Sequence, residues 1–289
     1  MPPRDDWQPL LDRALAEDIG SGDLTSELSV DAERTGRARI EARQRLVVCG
    51  LTLAEAVFHA VDPGLEIVRV DDVADGAWAE AGQPLLRILG SYRSILTAER
   101  TALNFLGRLC GIATQTRGLV DRVSDLPVEL VDTRKTTPGW RRLEKYAVAT
   151  GGGVNHRVGL FDAVLVKDNH IAAAGGLETA VQRVLDGTPP GVRVQIEVES
   201  EEMAQTAVDL GCDFLLLDNL PPETIRRIVE RFAPNVTLEA SGGIGPQNLR
   251  DYAETGVDRI SMGALTHSVP SADLALEIDL LPTATGADA

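Results

Sequence analysis

The stretch "DFLLLDNLPPETIRRIVERFAPNVTLEASGG", residues 213–243, contains the pattern that decides the fold. Two short apolar runs, "DFLLLD" (213–218) and "VTLEA" (236–240), flank the segment "PPETIRRIVERF" (221–232), which has the length and apolar spacing of a helix. Continuous apolar strands that are joined by helices are typical of a parallel sheet covered by those helices. The stretch therefore predicts one strand–helix–strand unit of an α/β fold.

The same alternation extends through the second half of the chain. Further β-rich runs are "PVELVD" (127–132), "DAVLVK" (162–167), "VRVQIEV" (192–198) and "DRISM" (258–262), and further helical segments are 176–187, 200–211 and 245–256. Six strands are fewer than the eight of a regular barrel. The pattern therefore predicts an open, doubly wound sheet or a barrel that is incomplete, irregular or completed by strands that the pattern does not reveal. Glycine-rich segments follow the last two strands, at 241–244 and 262–265, where barrel enzymes bind phosphate. No G-x-G-x-x-G follows the first strand, which disfavours a dinucleotide fold.

The first part of the chain has a different pattern. Residues 23–92 alternate in the manner of antiparallel strands, with turns at Asp75-Gly76 and Gly82, and predict a separate α+β domain. Residues 94–123 follow as one long helical segment, which we expect to link this domain to the second half.

The composition argues against several kinds of partner. The chain has 28 Lys and Arg residues against 44 Asp and Glu and a net charge of −16, which disfavours a nucleic-acid-binding protein. The first 20 residues have no apolar signal core, and no later run approaches the roughly 20 apolar residues that span a bilayer. Cys49, Cys110 and Cys212 lack metal-ligand spacing. We therefore expect a cytoplasmic protein with no nucleic-acid or membrane partner.

A group of basic residues follows the first two predicted strands of the second half. Arg134 and Lys135 come just after one strand, Lys167 ends the next, and His156 and Arg157 lie in the loop between them. Function collects at the carboxyl ends of barrel strands, so we expect these side chains to converge. Arg grips carboxylates with its planar fork, and Arg, Lys and backbone N–H groups bind phosphate. The group predicts a substrate with several anionic groups.

Three other basic residues lie between Lys135 and His156 in the sequence. Arg141, Arg142 and Lys145 belong to a predicted helix there and are expected to be solvated surface charges. Lys167 also suits a Schiff-base aldolase, because a lysine at a strand end is a candidate nucleophile.

Acidic residues end several of the predicted strands. Glu197 and Glu199 share one strand face, and we expect one at the barrel mouth and the other towards the loop. Asp218 follows five apolar residues, and Glu239 lies near the end of the next strand. We favour functional roles for Glu197 and Asp218, which could hold Mg²⁺, directly or through water, or bind sugar hydroxyls. The sequence has no cluster of His and Cys residues of the kind that would predict a zinc site.

Long ordered motifs in this chain resemble the quinolinate phosphoribosyltransferase family, the carboxylating nicotinate-nucleotide pyrophosphorylases. The resemblance begins at "LAEDIGSGDLTS" (15–26) and covers nearly the whole chain. Its other motifs are "AERTALNFLGRLCGIAT" (98–114), "DTRKTTPGWRRLEKYAVATGGGVNHRVGLFDAVLVKDNHI" (132–171), "LLLDN" (215–219), "EASGGI" (239–244) and "GVDRISMGALTHS" (256–268).

This resemblance implies a fold and an activity. The fold is an open, irregular seven-stranded α/β barrel, assigned to residues 111–267. An α/β sandwich of residues 1–110, completed by the C-terminal tail 268–289, accompanies it. The activity is the type II phosphoribosyl transfer of NAD biosynthesis, in which quinolinate and 5-phosphoribosyl-1-pyrophosphate give nicotinate mononucleotide, pyrophosphate and CO₂ with Mg²⁺. The family also implies a homodimer whose subunits share each active site.

The resemblance assigns residues to the two substrates. Quinolinate is expected to contact Arg134, His156, Arg157 and Lys167, with Thr133 nearby and Arg100 reaching in from the partner subunit. The phosphoribosyl donor is expected to contact Lys135, Glu197, Asp218, Ser241, Gly242, Gly263 and His267. Lys135, Glu197 and Asp218 are the expected catalytic residues.

Three alternatives are distinguished by the same residues. A related protein associated with molybdenum uptake shares the phosphoribosyl-binding pattern, but the full basic group disfavours it. A Schiff-base aldolase that uses Lys167 leaves Arg134, Arg157 and the two glycine-rich segments unexplained. A non-catalytic binding module is not expected to carry Glu197 and Asp218 beside the basic residues.

Overall fold

The computed structural model describes residues 1–279, which belong to two units. The first unit comprises Met1–Gln115, Pro138–Gly151 and the segment from Val269, and the second comprises Thr116–Thr137 and Gly152–Ser268. Residues 138–151, which lie inside the predicted barrel segment, thus belong to the first unit. Residues 280–289 of the predicted tail lie outside the described part of the chain.

The first unit is built on an antiparallel sheet. Its elements are a 3-10 helix (Arg4–Asp6), α1 (Gln8–Ile19), α2 (Leu24–Ser29), β1 (Thr35–Ala42), β2 (Leu46–Val47), α3 (Leu51–Val61), β3 (Glu66–Arg69), β4 (Trp78–Ala79), β5 (Pro84–Ser91), α4 (Tyr92–Asp121), α5 (Arg141–Thr150) and β12 (Leu274–Asp279). The main sheet has the order β12-β1-β5-β3, and β2 pairs separately with β4. Because β12 pairs antiparallel with β1, the predicted completion of this sheet by the C-terminal tail is confirmed.

The predicted turns and the long helix of the first half are also present. Gly76 and Gly82 have φ values of +94° and +83°, which L side chains rarely adopt. The 30-residue helix α4 starts at Tyr92 and includes most of the predicted segment 94–123, and the division between the two units falls within it. Along residues 1–279, none of the helices combines the length and the apolar character needed to cross a bilayer.

The second unit is built on a parallel sheet with helices between its strands. Its elements are β6 (Glu129–Val131), β7 (Val164–Val166), α6 (Asp168–Ala174), α7 (Leu177–Gly187), β8 (Val194–Val198), α8 (Glu201–Asp209), β9 (Phe214–Asp218), α9 (Pro222–Phe232), β10 (Thr237–Ser241), α10 (Leu249–Ala253), β11 (Arg259–Ser261) and α11 (Ala264–His267). The strand order is β6-β11-β10-β9-β8-β7, and every pairing is parallel. The six predicted strands and the α/β class are confirmed.

Within residues 1–279 the sheet has six strands, whereas the family resemblance implies seven, and its two edges show where a seventh strand could lie. In the described part of the chain, β6 and β7 are the two edge strands and do not pair with each other. Val154 forms one isolated parallel bridge with Val131 on the free side of β6. This bridge occupies the place of a seventh strand, reduced to a single residue.

Helices α8 and α9 illustrate how the sequence forms the layer on the sheet. In α8 the Ser200 side chain caps the start by accepting a hydrogen bond from the Met203 N–H at 3.2 Å. In α9 the residues Ile225, Ile228 and Phe232 are buried at helical spacing. The amphipathic pattern of 221–232 therefore predicts both the helix and its buried face.

Helix α10 is shorter than the predicted segment 245–256. Asn248 accepts a hydrogen bond from the Gly245 N–H at 2.8 Å and donates one to the Gly243 carbonyl at 3.1 Å. These bonds hold the preceding residues in a turn, because an asparagine side chain competes with helical backbone bonding. The helix consequently begins only at Leu249.

Candidate active site

A cavity of about 440 Å³ lies at the carboxyl ends of the parallel strands in the second unit. Its lining includes these predicted site residues: Thr133, Arg134, Lys135, His156, Arg157, Lys167, Asp218, Ser241 and Gly242. The predicted convergence of the basic group is therefore present in the structure. A larger surface depression of about 680 Å³ in the first unit is lined by residues 27–31, 34, 92, 93, 96 and 278, with no predicted site residue among them.

Two carboxylates and one lysine form the acidic part of the site. The Lys167 ammonium donates to Glu197 Oε2 at 2.6 Å, and only 5% of Glu197 is exposed. Burial, and next the negative charge of Glu197, raises the pKa of Asp218 above its ordinary value, while Lys167, Ser241 and Lys135 oppose the rise. The two carboxylates therefore repel each other across a partly buried space, and an added cation there would relieve that repulsion.

Strand register fixes these acids in place. Asp218 and Ser241 are register partners at the carboxyl ends of β9 and β10, and Glu197 on β8 is level with Leu216, two residues before Asp218. Glu199 lies beyond the end of β8 and is exposed. Of the two glutamates, Glu197 is the one that meets the site, through its ion pair with the cavity-lining Lys167, although Glu197 itself does not line the described cavity.

Arg157, which lines the cavity beside Arg134, has a hydrogen-bond donor that is not satisfied within residues 1–279. Burial, and next the positive charge of Arg134, lowers the pKa of Arg157 below its ordinary value. Arg157 Nη1 donates to the Ala163 carbonyl at 3.0 Å, whereas its Nε is buried without a hydrogen-bond partner in residues 1–279. A buried donor without a partner is costly, so this position is suited to an anionic group.

Lys135 lies beside the segment that joins β11 to α11. Its N–H donates to Thr133 Oγ1 at 3.0 Å, and its carbonyl accepts a hydrogen bond from the Thr266 hydroxyl at 2.7 Å. A methyl group placed on Gly263 would lie 3.0 Å from Lys135 Cδ and 2.8 Å from His267 Nε2. Gly263 and His267 therefore adjoin Lys135, as predicted, although neither lines the described cavity.

Gly242 is required by the close approach of Asn219. Gly242 has φ +90°, and a Cβ atom there would lie 2.2 Å from Asn219 Oδ1 and 2.8 Å from Asn219 N. Asn219 itself donates from Nδ2 to Asp218 Oδ2 at 2.6 Å. The glycine thus leaves room for the residue that holds Asp218.

Arg100 belongs to the first unit, on α4, and is exposed. Its charge partly offsets the effect of burial, which raises the pKa of Glu99. In the described residues of one chain, Arg100 does not line the cavity. Its expected position in a partner's site stays a prediction.

Several residues that support the site were not selected from the sequence. Asp132 is fully buried, accepts from the His156 N–H at 2.8 Å and from Asn155 Nδ2 at 2.7 Å, and so shapes the loop that carries His156. Glu239 and Gln195 are 0% and 2% exposed. The period-2 alternation of β8 could have indicated Gln195, since it shares a face with Glu197.

One surface assignment was wrong. Lys145 is only 3% exposed, because α5 is buried along much of its length, including Leu143, Glu144 and Ala147. Arg142 is exposed, as expected, and Arg141 is half-buried.

The metal-binding capacity of the site is limited to two carboxylates. In residues 1–279 no group of three or more His, Cys, Asp or Glu side chains is arranged to hold a metal ion. Mg²⁺ is commonly bound through one or two carboxylates, with water and substrate phosphate completing its octahedron. The repelling pair Glu197 and Asp218 fits that manner of binding.

Comparisons with known proteins identify the family of this chain. The model of the quinolinate phosphoribosyl transferase C-terminal domain matches residues 112–277, and that of the N-terminal domain matches residues 23–110. The carboxylating nicotinate-nucleotide pyrophosphorylase of Mycobacterium leprae is 42% identical over 271 residues, which cover 92% of this chain and 95% of that protein. The chloroplastic enzyme of the same name from Oryza sativa is 36% identical over 296 residues and covers 96% of this chain and 79% of its own length.

Solved structures give the same result. The nicotinate-nucleotide pyrophosphorylase of Francisella tularensis superposes with a TM-score of 0.92 at 39% identity, covering 96% of this chain and 98% of that one. The alternative of a molybdenum-associated relative finds no support in these matches. Since the two domain models together match most of its length, the chain belongs to the quinolinate phosphoribosyl transferase family.

Proposed function

We propose that this protein transfers the phosphoribosyl group of 5-phosphoribosyl-1-pyrophosphate to quinolinate and decarboxylates the product to nicotinate mononucleotide, in NAD biosynthesis. One observation carries the proposal. The neighbours Arg134 and Lys135 both line the cavity, yet Arg134 acts electrostatically on Arg157, whereas Lys135 adjoins Gly263 and His267. The adjacent pair thus serves two positions, as a reaction between two anionic substrates requires.

The quinolinate position is assigned to the arginine side of the cavity. The partnerless Nε of Arg157 and the nearby charge of Arg134 suit a pyridine carboxylate. Lys167 contributes a further positive charge, although its ammonium is committed to an ion pair with Glu197. That commitment also argues against a Schiff-base role for Lys167.

The phosphoribosyl donor is assigned to the part of the cavity that contains Lys135, Asp218 and Ser241. Lys135, the backbone at Gly242 and Gly263, and the side chains of Ser241 and His267 would meet its phosphates. Glu197 and Asp218 would bind the ribose hydroxyls and hold Mg²⁺. When bound, the metal would neutralise charge on the pyrophosphate leaving group.

The chemistry then follows from this placement. Departure of pyrophosphate leaves positive charge on the ribose, which the carboxylates of Glu197 and Asp218 stabilise while the ring nitrogen of quinolinate attacks. N-ribosylation makes the pyridine ring an electron sink. The carboxylate next to the ring nitrogen is then lost as CO₂, and a proton takes its place.

We further propose a homodimer in which Arg100 of one subunit completes the cavity of the other. Arg100 is exposed on α4. Leu160 and Phe161, in the loop between Arg157 and Ala163, are 74% and 77% exposed. Two adjacent, exposed large apolar side chains favour cover by another protein surface.

The proposed setting is the reducing cytoplasm. Its support is that Cys49, Cys110 and Cys212 are all buried free thiols.

The division of the cavity can be tested by binding measurements on three variants. We expect Arg157→Ala to weaken quinolinate binding strongly and Lys135→Ala to weaken binding of the phosphoribosyl donor, each measured by isothermal titration. Arg226→Ala, which removes an exposed arginine on α9, is the matched control and should bind both normally. Normal quinolinate binding by Arg157→Ala would contradict the assignment.

A further inference from the structure

The hydrogen bonds of His156 define which ring nitrogen carries its proton. The backbone N–H of Arg157 donates to His156 Nδ1 at 2.7 Å, so Nδ1 must present a lone pair. The other nitrogen, Nε2, lies 2.9 Å from Gln195 Oε1, which is an acceptor, so Nε2 must carry the proton. Together the two contacts select the neutral imidazole with its proton on Nε2.

The charges around His156 do not reverse this selection. Glu239 on β10 has Oε1 3.6 Å from His156 Nε2, which alone would favour a positively charged ring. Arg259 on β11 lies 3.4 Å from Glu239, Arg157 is the next residue, and buried Asp132 accepts the His156 backbone N–H. A second proton would have to sit on Nδ1, where it would face the Arg157 N–H at 2.7 Å. The imidazolium form therefore requires this loop to move.

The orientation of the Gln195 amide follows from the same bonds. If its nitrogen faced the ring, His156 Nε2 would need a lone pair, and both ring nitrogens would then lack a proton. The oxygen must consequently face His156, which leaves Gln195 Nε2 buried with no hydrogen-bond partner in residues 1–279. An apolar side chain at this 2% exposed position would avoid that penalty, so the acceptor oxygen itself is what the site requires.

We propose that Gln195 is a positioning residue for the quinolinate-binding arginine. Gln195 fixes His156 as the neutral Nε2–H tautomer, and the Nδ1 lone pair then holds the backbone of Arg157. The Arg157 guanidinium, anchored to the Ala163 carbonyl by Nη1, is thereby held in the lining of the cavity. The identity of the anion as quinolinate rests on the proposed function, but the tautomer does not.

The first test needs no substrate, and a variant protein serves only to assign the signal. Two-bond ¹H–¹⁵N correlation spectra of the ¹⁵N-histidine protein distinguish the two neutral tautomers and the imidazolium. The chain has 4 histidines, and His156→Asn identifies the signal by its loss. We expect the Nε2–H tautomer at neutral pH. An imidazolium or an Nδ1–H tautomer at neutral pH would overturn the proposal.

The second test separates positioning from packing. Gln195→Met keeps the side-chain length but removes the acceptor, and Gln195→Glu keeps an acceptor but adds a charge. We expect Gln195→Met to change the tautomer and raise the quinolinate Kd about tenfold, the scale of one misdirected charge-assisted hydrogen bond. Its KM for the phosphoribosyl donor should stay at the wild-type value. Gln195→Glu should bind quinolinate more weakly as the pH falls, because its carboxylate stabilises the imidazolium that displaces the Arg157 N–H.

Controls keep the outcomes separate. Gln182→Met, at an exposed position on α7, should change neither tautomer nor affinity. A folded Gln195→Met protein with the wild-type tautomer and wild-type Kd would refute the positioning role. If that variant fails to fold, the wild-type spectrum and Gln195→Glu decide. If the wild-type protein binds no quinolinate while showing the expected tautomer, the proposed function fails and the hydrogen-bond assignment stands.

Discussion

Replacing Gly242 by alanine should disturb the acidic side of the cavity through Asn219. The new Cβ would lie 2.2 Å from Asn219 Oδ1 and 2.8 Å from its backbone nitrogen, where carbon contacts normally begin near 3.5 Å. Rotation of the side chain can relieve the first overlap. It cannot relieve the second, so the Asn219 backbone must also move by several tenths of an ångström.

The expected loss in the free energy of unfolding can be worked out from the hydrogen bonds that this movement weakens. Asn219 donates its N–H to the Ser241 carbonyl at 2.9 Å and its Nδ2 to Asp218 Oδ2 at 2.6 Å. Weakening the two bonds costs about 1 kcal/mol each, and alanine at a left-handed φ adds about 1–2 kcal/mol. We therefore expect a loss of about 3–4 kcal/mol in the free energy of unfolding. Displacement of Asp218 should also lower kcat/KM for the phosphoribosyl donor by about 100-fold.

Gly243→Ala is the matched control for stability. Gly243 also has a positive φ, +63°, but a Cβ atom there meets nothing within 4 Å. Denaturant unfolding should show a loss of only about 1–2 kcal/mol for this variant. Asn219→Gly should partly rescue Gly242→Ala, because it removes the overlapping side chain. Equal losses for Gly242→Ala and Gly243→Ala, or no rescue, would refute the steric argument.

Three further predictions concern charge and assembly. Quinolinate should be used with a kcat/KM at least about 100-fold above that of nicotinate, because the single carboxylate of nicotinate leaves buried donors such as Arg157 Nε unpaired; equal use would contradict this. Asp218→Asn should increase the free energy of unfolding near pH 7, since the raised pKa of Asp218 means that its ionised form is disfavoured in the folded state; the gain should vanish as the pH falls below the ordinary aspartate pKa, and a gain that persists there would contradict this reasoning. If Arg100 acts in the partner's site, the Arg100→Ala and Lys167→Ala homodimers should each be inactive. After subunit exchange, their mixture should recover roughly a quarter of wild-type activity. Verified heterodimers without activity would exclude an active site shared between subunits.

The strands and the rim of the site could be predicted from the sequence because local pattern determines both. Apolar runs such as 213–218 mark buried parallel strands, and polar residues just after them, such as Lys167 and Asp218, must lie at one edge. This geometry predicted the basic group and Asp218 at the cavity, whereas Thr133 and the substrate contacts of Ser241 and Gly242 were assigned by the family resemblance.

Residues inside the sheet could not be selected in the same way. Gln195 and Glu239 lie within strands, where alternation gives a face but not the partner across it. Their roles depend on His156 and Arg259, which are distant in sequence and meet them only in the folded chain. Lys145 was misassigned for a similar reason, because helical periodicity does not reveal that α5 is buried on more than one side.

The most direct test of the central proposal is product formation from the two proposed substrates. The purified protein would be incubated with Mg²⁺, 5-phosphoribosyl-1-pyrophosphate and quinolinate carrying ¹³C in the carboxylate next to the ring nitrogen, with Lys135→Ala as the control. Mass spectrometry should detect unlabelled nicotinate mononucleotide, an equal amount of ¹³CO₂, and neither product above background from Lys135→Ala. Absence of nicotinate mononucleotide from a folded wild-type protein that binds both substrates would contradict the account.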